Sequence, residues 1–194
     1  MSVRRLATVL ALPVALLAAR PFTPAAPRPH VIDKAHSQIN FIADSRLISA
    51  RGHFGEWDAK IQLDPANMAA SSVSITINAA SIDTRVERRD THLKSADFFD
   101  VEKHPQITFA STAVRTVGAD QLAIEGDLTI RGTTRRVTIP ASMVFYEQGV
   151  GRFRGEFVLK RTDYGVSYDS KVNPIKDDVT VQWDFAVQDP AAGK

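Results

Sequence analysis

The chain has 194 residues, of which 44% are hydrophobic and 24% charged, and its formal net charge at pH 7 is +2. It contains no cysteine, which excludes a disulfide framework, a thiolate metal site and a cysteine nucleophile. The length is sufficient for one domain with a substantial core.

The first segment has the pattern of a secretory signal. Arg4 and Arg5 precede the apolar run LATVLALPVALLAA at 6–19, the order and length of an exported protein's leader. A retained membrane anchor is the alternative, although a spanning helix needs about 20 apolar residues. We predict a signal peptide over 1–25, cleaved between about 19 and 26, and a protein that is periplasmic or secreted. Without the arginines of this segment the chain is close to neutral, so its charge does not indicate nucleic-acid binding.

From residue 30 onward apolar and polar residues alternate, as in Trp57, Ala59, Ile61 and Leu63. This period indicates strands with one buried and one wet face. We predict one domain over 30–189 with about eight strands. They lie at roughly 37–44, 51–63, 72–80, 106–116, 121–131, 134–146, 152–162 and 179–188. Turn residues separate them, so neighbours are antiparallel and the domain is a closed barrel or a two-sheet sandwich.

One long interruption, 80–105, contains most of the stretch RRDTHLKSADFFDVEKHPQITF. Thr84 and Glu87 have the spacing of a capping box, and Asp90 and Lys94 that of an i,i+4 ion pair. We predict a helix over roughly 85–95, with Val86 and Leu93 on one face, followed by a tight turn that carries Phe98 and Phe99.

Two clusters of ionisable residues raise the question of catalysis. A zinc site could use His92 and His104 with Asp90 or Glu102, but no HExxH pattern accompanies them. Asp33, His36 and Ser37 lie together without a GxSxG nucleophile elbow. We therefore predict no catalytic residue, no metal and no cofactor. An exported metal-dependent or hydrolytic enzyme that uses Asp90, His92 and His104 is the alternative.

The interior of the barrel is the other candidate site. An eight-stranded barrel encloses a lumen that is filled by side chains or holds one narrow ligand. Strands of about ten residues make it about 30 Å long, which suits an extended chain. Alternation and the helical crossover give these lumen candidates: Phe41, Phe54, Ile75, Ile77, Phe98, Phe99, Phe109, Ile124, Leu128, Phe157 and Trp183. The pattern does not decide which face points inward, and a solid, ligand-free structural module is the alternative. We expect Arg89, Asp90 and His92 to form a polar lid.

Five motifs occur in the order DKAHSQINF, GHFGEWDAKIQLDP, VSITINAASIDT, RRDTHLKSADFFDVEKHPQITFAST and GDLTIRGTTRRV. In this order they resemble the YceI-like family, over essentially 31–187. The resemblance implies an elongated eight-stranded antiparallel barrel, lipocalin-like in shape, with a short helical crossover at about 85–100. It also implies a periplasmic protein without catalytic chemistry that holds a polyisoprenoid or similar amphiphilic lipid, for example an isoprenoid quinone or prenyl lipid, for sequestration or transport. We expect the protein to bind that lipid and no nucleic acid. It would contact a membrane only transiently, as a lipid donor or acceptor, and a homodimer is compatible with this function. Ser45 stands where many members carry a histidine, which implies a different head group or none.

Overall fold

The computed structural model of the chain describes residues 26–192, which form ten strands and one α-helix. The predicted signal peptide and its cleavage site lie outside these residues. The elements are β1 (Arg28–Ser45), β2 (Ser49–Phe54), β3 (Trp57–Leu63), β4 (Ser72–Asn78), β5 (Ile82–Asp83), α1 (Glu87–Lys94), β6 (Gln106–Thr116), β7 (Gln121–Ile130), β8 (Thr133–Glu147), β9 (Val150–Lys160) and β10 (Ile175–Gln188).

Eight of the strands close into an antiparallel barrel in the order β1-β3-β4-β6-β7-β8-β9-β10. The closure depends on β1, which pairs with β3 through Arg28 opposite Leu63 and with β10 through Phe41 opposite Val181. The short strands β2 and β5 extend the sheet beside the second half of β1. The predicted all-β fold, a closed eight-stranded antiparallel barrel with one short helix, is confirmed.

The alternating residues sort onto the two faces of the barrel wall. In β9 the apolar side chains of Phe153, Phe157 and Leu159 face the interior, whereas Arg154, Glu156 and Val158 of the other face are exposed. Successive residues of a strand point to opposite faces, so one apolar face per strand is enough to build the interior. The apolar alternation face is therefore the inward one.

The predicted strand 51–63 is in fact two strands, because Gly55 and Glu56 leave the ladder. The Gly55 amide donates to the Ser81 carbonyl at 3.1 Å, and the Asn78 amide donates to the Glu56 carbonyl at 2.9 Å. β2 consequently pairs with β1 and β5, while β3 pairs with β4. The same contacts end β4 at Asn78, two residues earlier than predicted.

Two strands begin earlier than their apolar period indicates. β1 starts at Arg28 instead of 37, and its register against β10 shifts between Asp33 and Gln38. The residues in this bulge are mostly exposed, so they carry no alternation that sequence could reveal. β10 starts at Ile175 instead of 179, because Asp177 interrupts the apolar face between Ile175 and Val179.

The helix lies where it was predicted, but the capping box is wrong. The N-cap residue is Val86, which makes no side-chain capping bond and is 47% exposed, so it does not share a buried face with Leu93. Thr84 precedes the cap and its hydroxyl donates to the Asp90 carboxylate at 2.5 Å. The expected ion pair between Asp90 and Lys94 is replaced by this contact.

The connections divide between the two ends of the barrel. We call the end that carries α1, the turns at 95–105, the segment 161–174 and the β1–β2 hairpin turn the lid end. The opposite, far end carries the β3–β4, β6–β7 and β8–β9 connections. Within residues 26–192 no helix has the length and hydropathy to span a membrane.

Candidate functional site

The barrel interior contains a cavity of about 250 Å³. Its wall is built by the inward-facing side chains of all eight barrel strands and is almost entirely apolar. Several of these side chains remain only half buried because they border the empty space, for example Ile75, Ile124 and Leu159. The interior is therefore not packed solid.

All the predicted lumen candidates lie on the wall of this cavity. They are Phe41, Phe54, Ile75, Ile77, Phe98, Phe99, Phe109, Ile124, Leu128, Phe157 and Trp183. That these residues contact a ligand stays a prediction.

Further wall residues were not among the candidates. Ile39, Val181 and Phe185 lie two residues from a chosen one and Phe153 lies four, so strict alternation could have found them. Others lie outside the strands, where the alternation does not apply: Leu93 in α1, and Met68, Tyr164 and Val166 in the connections between strands.

Aromatic rings line the lid end of the cavity. Phe54 lies between Phe41 and Phe99, with ring centroids 5.7 and 6.2 Å apart. The turn after α1 positions Phe98 and Phe99, since their amides donate to the carbonyls of Ser95 and Leu93 at 3.1 and 3.0 Å. Gly52 makes room for the Phe41 ring, because a Cβ at this position would lie 2.4 Å from it.

A second aromatic group contains both tryptophans of the chain. Phe185 stacks on Trp57 and contacts Trp183, each at 5.1 Å between ring centroids. The Trp183 Nε1 is the one buried side-chain nitrogen or oxygen in 26–192 without a hydrogen-bond partner. Its ring lies over Gly155 of β9, where a Cβ would approach Nε1 to 2.6 Å.

Among residues 26–192, Arg161 is the one charged side chain on the cavity wall, and its donors bond to backbone carbonyls at the lid end. Its guanidinium donates to the carbonyls of Val166 at 2.7 Å, Tyr168 at 2.8 Å, and Ile175 and Lys176 at 3.1 Å. Arg161 is 8% exposed. A buried cation needs such compensation. The bonds to Val166 and Tyr168 hold the segment 165–174 across the barrel end, and the bonds to Ile175 and Lys176 fix the start of β10.

Arg131 and Asp177 also hold the segments of the lid end in place. Arg131 donates to the carbonyls of Gly165 and Ala96, the latter at 2.7 Å, and so joins both lid segments. Asp177 accepts from the amide and hydroxyl of Thr162 at 3.0 and 2.7 Å. The Thr162 hydrogen bonds hold the pKa of Asp177 below its usual value. Burial raises the pKa of the neighbouring Tyr164 phenol, which stays neutral.

The predicted polar lid residues fasten α1 to the barrel. Arg89 donates to the hydroxyl and carbonyl oxygens of buried Thr84 at 2.7 and 2.9 Å, and Asp90 accepts from the Thr84 amide at 2.9 Å. His92 contacts Asp97 at 2.9 Å and packs edge-on against Phe98 and Tyr168. Their side chains hold the lid in place without facing the cavity.

The structure does not bring the ionisable candidates together. Asp90 is engaged by Thr84 and His92 by Asp97, while the His104 ring lies against Gly132. Among the described residues there is no group of three or more His, Cys, Asp or Glu that could hold a metal ion.

Asp33, His36 and Ser37 likewise do not form a Ser-His-Asp catalytic triad. His36 Nδ1 lies 2.6 Å from the Asp33 carboxylate on the exposed bulge of β1. This hydrogen bond lowers the pKa of Asp33. The Ser37 hydroxyl, in contrast, accepts from the Ala186 amide at 2.9 Å and bonds β1 to β10.

A closed antiparallel barrel around one apolar cavity is the architecture of a protein that binds hydrophobic ligands. The chain belongs to the YceI-like family: the model of the YceI-like domain matches residues 30–187. A UPF0312 protein of Vibrio cholerae is 36% identical over 171 residues, 82% of this chain and 88% of the relative. Protein YceI of Escherichia coli O157:H7 is 46% identical over 116 residues, 58% of this chain and 60% of the relative.

Solved structures share the fold. Burkholderia cenocepacia BcnA has 26% identity and a TM-score of 0.75, with 80% of this chain and 99% of that chain covered. A polyisoprenoid binding domain from Saccharophagus degradans, implicated in plant cell wall breakdown, has 14% identity and a TM-score of 0.66, over 83% of this chain and 98% of that one. At that identity the second likeness shows the fold alone.

Proposed function

We propose that this protein binds one amphiphilic lipid with an extended hydrocarbon chain, of the polyisoprenoid type, in the barrel lumen. It would sequester or transport this lipid in the periplasm or outside the cell. The observation that carries the proposal is the apolar cavity along the barrel interior, which leaves wall residues of every barrel strand bordering open space.

The size of the cavity supports a chain of moderate length. A water-sized group needs roughly 10–15 Å³ of such space, so about 250 Å³ accommodates on the order of twenty carbon atoms. This corresponds to about four isoprene units. A longer chain would extend through one end of the barrel.

Burial of the chain alone provides enough free energy for binding. About twenty carbons at roughly 0.8 kcal/mol each contribute on the order of 16 kcal/mol before association and ordering, which cost about 4–15 kcal/mol. A charged anchor in the lumen is not needed.

The wall chemistry favours an uncharged chain over a fatty-acid carboxylate inside the lumen. The cation on the wall, Arg161, donates to four backbone carbonyls. A carboxylate in the cavity would therefore lose its hydration without a cationic partner, which is unfavourable. Family membership and the shared fold of a polyisoprenoid binding domain agree with an isoprenoid.

The test is the lipid content of the protein purified from its own compartment. Organic extraction and mass spectrometry should recover an isoprenoid lipid at about one per chain. Because Trp183 lies on the cavity wall and Trp57 stacks on Phe185 beside it, an isoprenoid quinone should also quench tryptophan fluorescence saturably. A reproducibly lipid-free protein that takes up no quinone would overturn the proposal.

Export is a separate part of the proposal and has its own experiment. Its support is the cationic and apolar leader pattern over 1–25. Cell fractionation should place the protein in the periplasm or medium, with an N-terminus between residues 20 and 27. A cytoplasmic protein that retains Met1 would refute it.

A further inference from the structure

Two loops of the lid end meet and present apolar side chains to solvent. The β1–β2 hairpin turn carries Leu47 and Ile48, which are 69% and 51% exposed, and the segment 165–174 carries Val172, which is 78% exposed. We call these three residues the apolar tip. Val172 and Leu47 are the most exposed large hydrophobic residues in the described part of the chain.

Hydrogen bonds join the two loops, so the tip is one surface. The Leu47 amide donates to the Asn173 side-chain oxygen at 2.9 Å, and the Arg46 amide donates to the Pro174 carbonyl at 2.9 Å. Exposed apolar residues that are scattered singly need no explanation, whereas a fixed cluster indicates an interaction site.

Each half of the tip has a cation beside it. Arg46 precedes Leu47, and Lys171 precedes Val172. Both are exposed, and no carboxylate within 26–192 pairs with either side chain.

The nearby carboxylates are already engaged. Asp44 contacts Lys176 at 3.2 Å, and Asp169 accepts from the amides of Ser170 and Ile175 at 2.9 and 3.1 Å. Arg51, also exposed, adds a further positive charge on β2. The surface around the tip therefore combines protruding aliphatic groups with an excess of cations.

We propose that the apolar tip is a docking surface for an anionic lipid bilayer. Aliphatic side chains can enter the interface between head groups and acyl chains while adjacent lysine and arginine attract anionic head groups. Three side chains are too few for a stable protein–protein interface, which needs about 800 Å² per partner. Shallow, reversible insertion requires no such area.

Docking would direct the lid end to the bilayer. The segment 165–174 has Val166 on the cavity wall and Val172 in the tip, so the same cover borders the lumen and meets the membrane. This consequence for lipid exchange rests on the proposed function, whereas binding of the tip to a bilayer does not.

The experiment is co-sedimentation of the exported chain with vesicles of phosphatidylethanolamine and phosphatidylglycerol, compared with phosphatidylcholine vesicles. We expect stronger binding to the anionic vesicles, and binding that weakens as salt is raised. Leu47→Ser should reduce it about 10-fold and Val172→Ser about 5-fold, because each removes an inserted aliphatic group. Arg46→Gln and Lys171→Gln should each reduce it about 5-fold on anionic vesicles and leave phosphatidylcholine unaffected.

The chain offers a matched control in Val117, which is 65% exposed in the β6–β7 turn at the far end. Val117→Ser should bind vesicles as the wild type does. Equal losses for Val117→Ser and Val172→Ser, or no preference of the wild type for anionic vesicles, would overturn the proposal.

Two further measurements separate the alternatives. Sedimentation velocity reports the oligomeric state, and a dimer that Leu47→Ser dissociates would identify the tip as an interface between copies and refute bilayer docking. Organic extraction of the same samples measures how much lipid the lumen holds. A protein that binds vesicles but never takes up lipid in its lumen would refute the proposed lipid-binding function and support bilayer docking of the apolar tip.

Discussion

A bulky residue in the lumen should expel the ligand without unfolding the barrel. Leu159 of β9 lies on the cavity wall, and Val158 beside it is 58% exposed on the outer face. Leu159→Trp adds about six heavy atoms, which at roughly 10–15 Å³ each occupy on the order of a quarter to a third of the cavity. A bound chain loses room for about six carbons, which at about 0.8 kcal/mol each correspond to on the order of 5 kcal/mol of binding free energy.

The open cavity should accommodate the indole, so the free energy of unfolding should change by less than about 1 kcal/mol. A packed core would instead lose about 1–3 kcal/mol through overpacking. Lipid content after extraction measures the first effect, and urea denaturation of lipid-free protein measures the second.

Val158→Trp is the matched control, since it places the same side chain on the neighbouring residue outside the barrel. It should retain the wild-type lipid content. An open, lipid-holding lumen is refuted if Leu159→Trp carries as much lipid as Val158→Trp, or if Leu159→Trp loses the about 1–3 kcal/mol of unfolding free energy that overpacking of a filled core would cost.

Three other predictions concern side chains at the lid end and in the aromatic group. Arg161→Met leaves four carbonyls without their donor and should lower the free energy of unfolding by about 3–5 kcal/mol in urea denaturation; a change below about 1 kcal/mol would show that the bonds are not needed. Asp177 has a folded pKa below the unfolded value of 3.8, so its contribution is present above that pH and lost as the pH falls through the folded pKa. Thermal melts should therefore lose less stability on acidification in Asp177→Asn than in the wild type, and equal losses would contradict this assignment. Trp183→Phe removes an unpartnered donor, which should offset part of the packing lost with the larger ring, so the free energy of unfolding should fall by less than about 2 kcal/mol; a larger loss would show that the ring contacts outweigh the cost of the unpaired donor.

The barrel and the wall of its lumen could be predicted because both follow from a period of two. Phe157 and Leu128 were lumen candidates from alternation, which did not decide which face points inward, and the structure has both on the cavity wall. Alternation is a local property, and closing eight such strands buries their apolar faces. The helical crossover was also recognisable, because residues 80–105 lack that period.

Structural features that do not follow from the alternation of apolar and polar residues could not be predicted, or were predicted at the wrong place. Gly55 and Glu56 interrupt a sequence that alternates on both sides, and their break is caused by bonds to Asn78 and Ser81, which are distant in the chain. The capping box failed for a similar reason, since the Thr84 hydroxyl satisfies Asp90 and Arg89 instead of the helix end.

The role of Arg161 was also beyond sequence reasoning. An arginine after a strand predicts a solvated residue, yet this one is buried by a loop whose carbonyls converge on it. The burial of Arg161 depends on the path of the segment 165–174 across the barrel end. The alternation of apolar and polar residues carries no information on that path.

The seam between β1 and β10 has a consequence for how the chain acquires its structure. Val31 pairs with Gln188 and Phe41 with Val181, so the first and last strands of the barrel complete each other. Contacts between such distant residues form slowly, and the ring cannot close before the final strand has been synthesised. Partial chains would consequently expose apolar strand faces and unpaired edges, which a chaperone can hold. For the exported protein that we propose, late closure would keep the chain from completing its barrel until the final strand has been made.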